Sequence, residues 1–424
     1  MSNWSSRLSE QYHLNLPADV VAWFDGELWK ECSETSFGQP LQPAQLLDSN
    51  SSALWGGLML PDTLPILDNG CGDALCLRFN SKGTVSEVVH WAHEGGNWTP
   101  FGTSLCEALL LDAAITLMEE PLDGMEHRLH RLEDIGYAGW AFASLEGVGQ
   151  RSRMRQILRQ HHALPILGLL EAGVAETAVR RVLCERCCAS GLQRYCHDFG
   201  GNQLATKLGV QWPVLSQWLF DTGLIPKEME RPLAKATGMS FEDLSQQDWC
   251  GAVGHAETVV ALRTDLSWPF AVLGWAAERQ GDLRGAIKHY SAGLPALATT
   301  SDFTEYWEKI ELGQKTKFMV DRLIAIRDSL PPEVLENDYF KAVMGSKHFK
   351  DFFERVRRYW CERGALAESE GRYGDAYESY YGAGWDILVM DDMEPILDCI
   401  VRNAEAAGWS ALASIAGHHR QSLL

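Results

Sequence analysis

The chain has 424 residues, 46% of them hydrophobic, which is too much sequence for one small fold and enough for two or three domains with substantial cores. No stretch reaches the roughly 18 apolar residues that would span a bilayer, and the opening MSNWSSRLSEQYHLN lacks the basic-then-apolar order of a signal peptide, so a soluble cytoplasmic protein is expected. The formal charge of -20 is uneven: residues 1–120 carry 16 acids against 4 bases, residues 121–250 carry 15 against 14, and the remainder is acidic again. An acidic surface repels nucleic acid and speeds encounter with basic proteins.

In LPADVVAWFDGELWKEC, from Leu16 to Cys32, the residues Val20, Val21, Trp23, Phe24 and Leu28 recur at helical spacing after Pro17, which predicts an amphipathic helix. A short helical stretch follows at Pro43–Leu47. The pattern then changes to apolar runs broken by Gly, Pro and Asn. Leu75, Leu77 and Phe79 alternate with Ala74, Cys76 and Arg78, and after the turn NSKG come Val85, Val88, Val89 and Trp91, a pattern of antiparallel strands. SLCEALLLDAAITLMEE is helical again, with Ser104 as N-cap and Glu107 completing a capping box. Helix, antiparallel sheet, helix makes residues 1–120 an α+β domain, followed by a mostly α-helical region.

The LPxxhxxWF opening, the WGG step, the ILDNGCGDALCLRF hairpin and the closing GTSLCEALLL helix resemble the SUKH superfamily, the Smi/Knr type of domain, across residues 14–118. The resemblance implies a protein-binding module, in many members one that neutralises a toxin, with no shared catalytic centre.

Residues 121–250 read as a helical domain. Within it Asn202–Leu244 resembles the helix-turn-helix of Cro-type repressors, although the segment Trp212–Leu219 contains no Arg or Lys for phosphate contacts. Cys184, Cys187, Cys188, Cys196 and His197 lack the two spaced ligand knuckles of a structural zinc site and read as buried helix cysteines. Eleven cysteines, an odd number scattered through regular elements, indicate reduced thiols.

Residues 251–424 form a third, helical domain with an internal repeat over 268–294 and 358–384. Gly274 and Gly364, Ala277 and Ala367, Gly281 and Gly371, Ala286 and Ala376, and Tyr290 and Tyr380 are pairs 90 residues apart, and Gly293 aligns with Ala383. The pattern resembles tetratricopeptide hairpins, with Phe270 and Trp360 as leading large residues. Two such units are visible.

No GxxxxGK[ST], HExxH or GxSxG string occurs, so no catalytic residues, cofactor or metal are assigned. His90 and His93 lie three apart and converge only if the strand has ended, which favours a turn with surface histidines over a ligand set. Asp68–Asp73 has its glycine too early for a calcium loop and reads as a hairpin turn. Trp91 and Trp98 flank the acidic turn HEGGN and are expected to be exposed; with Glu94, Asp68 and Asp73 they form the candidate partner-binding set for a basic protein. The sequence therefore reads as a non-enzymatic, cytoplasmic, toxin-neutralising or scaffold protein with no membrane partner. The competing reading is a DNA-binding regulator acting through 202–244.

Overall fold

A computed structural model describes residues 3–30, 39–48, 59–93, 98–119, 136–144, 169, 172–173, 250–296, 318–344, 349–386 and 393–423. The zinc-like cysteines and the helix-turn-helix-like segment 202–244 lie outside these residues. Contacts divide the described residues into two compact units: one holds those up to Gly173 and from Val401 onward, the other runs from Cys250 to Ile400.

The first unit opens with α1 (Trp4–Tyr12) and α2 (Ala18–Asp25). The long helix expected over Leu16–Cys32 is shorter than its apolar spacing suggests, because Glu27 adopts φ 54 and ends it; Leu28–Lys30 form a separate 3-10 turn. Next come β1 (Gln39–Pro40) and α3 (Pro43–Leu46). The sheet continues with β2 (Thr63–Asp68), β3 (Ala74–Phe79), β4 (Val85–Trp91) and β5 (Trp98–Gly102). The strands are antiparallel in the order β1-β2-β3-β4-β5, so the α+β class read from the sequence is the one observed. Every residue of β3 except Arg78 is buried, so the alternation seen in the sequence separates two covered faces.

Helix α4 (Leu105–Glu119) packs on β4, β5 and α2, and α5 (Gly136–Ser144) packs on α4. Ser104 caps α4 as expected, its Oγ accepting the Glu107 N–H at 3.3 Å. The Glu107 carboxylate, however, reaches back one residue further than a capping box requires, to the Thr103 N–H (2.8 Å) and hydroxyl (2.6 Å). The Leu105 and Cys106 N–H groups donate instead to Asp19 Oδ2 on α2, at 3.0 and 3.4 Å. A carboxylate from one helix thereby satisfies orphan donors at the positive end of another. Asp25 does the same for α1, accepting the Ser5 N–H at 2.9 Å and the Ser5 hydroxyl.

The second unit is helical. It comprises α6 (Cys250–Leu262), α7 (Trp268–Arg279), α8 (Leu283–Gly293), α9 (Phe318–Ala325), α10 (Pro332–Leu335), α11 (Asp338–Met344), α12 (Phe349–Ser369), α13 (Tyr373–Trp385) and the first part of α14 (Met393–Ala406). The two repeats are the antiparallel hairpins α7–α8 and α12–α13. A Cβ on Gly274 would sit 2.3 Å from the Tyr290 ring, and one on Gly364 would sit 2.9 Å from the Tyr380 ring. Each tyrosine also donates to a glutamate of the facing helix, Tyr290 to Glu278 at 2.9 Å and Tyr380 to Glu368 at 3.3 Å. Phe270 and Trp360 are both buried, as leading large residues should be. The glycine that receives them differs by one position: Gly293 lies against Phe270, whereas Gly382 lies against Trp360.

Two polar ties lock this unit. Arg322 of α9 forks onto Glu278, and although burial works to raise that carboxyl, the bonds from Arg322 and Tyr290 hold it below its ordinary value. Asp386, fully buried beyond α13, accepts the Trp360 indole N–H at 2.7 Å and the Tyr339 hydroxyl at 2.8 Å.

Helix α15 (Ser410–Ser422) belongs to the first unit, where it packs on α1. The turn Ala404–Trp409 that leads into it repeats the turns of both hairpins. In all three a glycine at positive φ (Gly281 +79, Gly371 +73, Gly408 +76) donates to a glutamate carbonyl three residues back, at 3.0 Å each time. The next residue donates to an alanine carbonyl five residues back: Asp282 to Ala277, Arg372 to Ala367 and Trp409 to Ala404. A third copy of the turn is therefore present beyond the two units legible in the sequence.

Candidate functional site

The meander brings the predicted partner-binding residues to one end of the sheet. Asp68 closes β2 opposite Ala74, Ala74 faces Trp91 across the β3–β4 pair, and Trp91 faces Trp98 across the β4–β5 pair. Glu94 lies outside the described residues. Trp91 and Trp98 are 2% and 0% exposed, so the expectation that they present their rings to solvent is corrected: both strand faces are covered here, and large aromatics at such positions become core.

Among the described residues, those that face solvent at this end are the β2–β3 turn and His93. The turn is built by its own side chains. Asp68 Oδ1 accepts the Gly70 N–H at 2.7 Å, and Asn69 Oδ1 accepts the Cys71 and Asp73 N–H groups at 2.8 and 3.0 Å. Gly70 and Gly72 take φ values of +69 and +104, which side-chain-bearing residues rarely adopt. His93 lies just past β4 and closes onto the turn, its Nδ1–H and backbone N–H both donating to Asp73 Oδ1 at 2.8 and 2.9 Å. Burial alone would raise the Asp73 carboxyl, but these bonds hold it below its ordinary value. Asp73 thus anchors the β4 end to the β2–β3 turn. Among the described residues no group of three or more His, Cys, Asp and Glu side chains is placed to hold a metal ion.

A second polar cluster went unread in the sequence. Arg78 of β3 donates to Asp62 at 2.8 Å and to Glu87 of β4 at 2.9 Å, and its guanidinium lies 4.6 Å from the centre of the Trp98 ring. Arg78 and Glu87 are direct cross-strand partners. The three side chains are 13%, 8% and 9% exposed, so this is an ion triad inside the sheet unit. Burial raises the Asp62 carboxyl, and the attraction of Arg78 opposes that rise without cancelling it. The available signal was a lone cation in the apolar run ALCLRF. Reading it required the strand register, which periodicity alone does not supply.

Among the described residues no helix is long and apolar enough to cross a membrane. The fold and this site define an α+β unit with a self-organised acidic turn, joined in one chain to a unit of paired helical hairpins. Compared with protein-family models, with curated proteins and with solved structures, the chain gives no match.

Proposed function

We propose that the chain is a non-enzymatic cytoplasmic binding protein, with a SUKH-like first unit that recognises a basic protein, in the manner of toxin-neutralising immunity modules, and helical hairpins that position a second protein. The observation that supports it most is the end of the sheet bearing Asp68 and Asp73. There the hydrogen bonds of the turn and of His93 fix partly exposed carboxylates in place, so a cationic partner meets them without an ordering cost. The acid excess of residues 1–120, 16 against 4, adds long-range attraction for the same kind of partner. Paired hairpins with a repeated glycine–tyrosine contact are the architecture of arrays that bind polypeptides more often than they catalyse.

The test is coexpression of the full chain with a basic, nucleic-acid-cleaving toxin domain encoded beside its gene, scored by cell survival and by calorimetry at low and moderate salt. The expected result is protection, with an affinity that falls as salt rises and falls further for Asp68→Lys. Survival without any complex, or a salt-steep shift of duplex DNA by the full chain, overturns this reading; the second result supports the DNA-binding one.

A further inference from the structure

Helix α12 has two faces of different character. Val356, Trp360 and Ala367 are buried, and Gly364 lies against the Tyr380 ring of α13. On the opposite side Arg355, Arg358, Glu362 and Leu366 follow one another at helical spacing and are exposed, Leu366 at 57%. Arg363 stands beside them, also exposed, its guanidinium 5.5 Å from the centre of the half-buried Tyr359 ring. That ring positions the guanidinium while the side chain stays open to a partner. Three arginines thus share the face with one glutamate, Glu354 lying at its edge, in a chain whose formal charge is -20.

The first hairpin shows the same face when it is covered. Ninety residues earlier Val272, Leu273 and Ala276 hold the positions of Glu362, Arg363 and Leu366, and all three are buried. There α7 is packed by α6 and α9 as well as by α8. In the second hairpin α12 packs on α11 and α13, and these positions are exposed. A permanently covered helix face is apolar throughout. A face that is covered only in a complex keeps an apolar centre, here Leu366, inside a rim of charges that keeps it soluble when alone.

We propose that this face of α12 docks the second protein, and that it takes an amphipathic helix with acidic flanks, the apolar stripe over Leu366 and the carboxylates on Arg355, Arg358 and Arg363. The inference rests on the reading of the hairpins as the part that positions a second protein. Charge complementarity selects the occupant. A basic segment meets three like charges on this face, whereas carboxylates gain charge-assisted bonds to the guanidinium forks. Glu362 opposes a carboxylate laid over the centre, so the acids belong on the flanks of the partner helix and its apolar residues between them. The span from Arg355 to Leu366 is about three helical turns, a length over which a partner helix can lie.

The test is binding of a labelled helical peptide, with a leucine stripe flanked by glutamates, to the full chain. Fluorescence anisotropy at low and moderate salt reads it, with a counterpart peptide carrying lysine in place of each glutamate. The acidic peptide is expected to bind despite the acidity of the chain, with an affinity that falls as salt rises. Arg355→Glu with Arg358→Glu should weaken it about tenfold and Leu366→Ser about fivefold, while Arg355→Lys with Arg358→Lys keeps most of it. All of these side chains are exposed, so the variants should unfold at the temperature of the native chain. No binding of the acidic peptide, equal binding of the lysine peptide, or binding indifferent to Arg355→Glu with Arg358→Glu each overturns the proposal. Self-association of the full chain at low salt, measured by sedimentation and lost in that variant, also overturns it, because the occupant is then a second copy. Loss of toxin protection with peptide binding intact counts against the basic-partner reading alone; protection without peptide binding counts against this inference alone.

Discussion

Replacing Arg78 by Met removes one cation and leaves two buried carboxylates. Asp62 and Glu87 each accept a guanidinium hydrogen bond below 3 Å, and both side chains are under a tenth exposed, so solvent does little to screen what remains. Breaking a buried ion pair by removing one partner costs about 3–5 kcal/mol, and the lost stacking on Trp98 falls within that range. The loss should depend on pH with a definite sign. Burial already raises the Asp62 carboxyl above 3.8 with Arg78 present, so the native protein loses stability as pH climbs through the raised value; without Arg78 that window extends upward. Arg78→Met should therefore be most deficient near pH 7.5 and recover part of its stability toward pH 5, as the Asp62 carboxylate, deprived of Arg78, takes up a proton. The triple change Arg78→Met, Asp62→Asn, Glu87→Gln should return to within about 2 kcal/mol of the native protein, because no charge is then left unpaired. Native-state exchange of the β3 and β4 amides measures this in the sheet unit alone. A deficit under about 1 kcal/mol, or one that deepens on acidification, would show that the triad does not balance charge as described.

Gly274→Ala should destabilise the α7–α8 hairpin by about 2–3 kcal/mol and Gly364→Ala the α12–α13 hairpin by somewhat less, because the added carbon meets its tyrosine ring at 2.3 Å in the first case and 2.9 Å in the second; urea unfolding with local exchange readout separates the two. Asp19→Ala should cost about 1 kcal/mol and speed exchange at Leu105 and Cys106, since it removes the acceptor of those two N–H groups and leaves the Ser104 cap in place. Trp98→Ala should cost about 3–5 kcal/mol of sheet stability as a core truncation. A variant that stays as stable as the native chain by thermal unfolding would contradict the burial of Trp98.

What the sequence made legible follows the range of the interactions involved. The strands of the meander and the short helix at Pro43 announce themselves through local alternation and turn residues, and the structure places them within a residue or two of the pattern. Trp91 and Trp98 look exposed in the sequence and are buried in the fold because exposure is a tertiary property: glycine and acid next to an indole say nothing of what covers the second face of the sheet. Asp19, Asp25 and His419 left no local mark. Their partners lie 86, 20 and 356 residues away, and a carboxylate or imidazole at such a position looks in sequence like any solvated one.

The repeats show which part of a packing motif persists. In α7–α8 and α12–α13 a glycine of the first helix receives a tyrosine of the second, a size complement strong enough to align across 90 residues. At the corresponding positions before and after Gly408 stand Val401 and Gly417, and a Cβ on Gly417 would meet nothing within 4 Å, so the glycine–tyrosine contact is not repeated and a search keyed to it passes over the third turn. The turn itself is kept, as AERQG, AESEG and AEAAG. Its glycine must take positive φ for the two carbonyl-capping bonds to form, a requirement that does not depend on the side chains between the helices. Backbone geometry therefore preserves the signature of the turn where the side-chain contact is absent, and the α14–α15 turn belongs to the series although its interior pair does not.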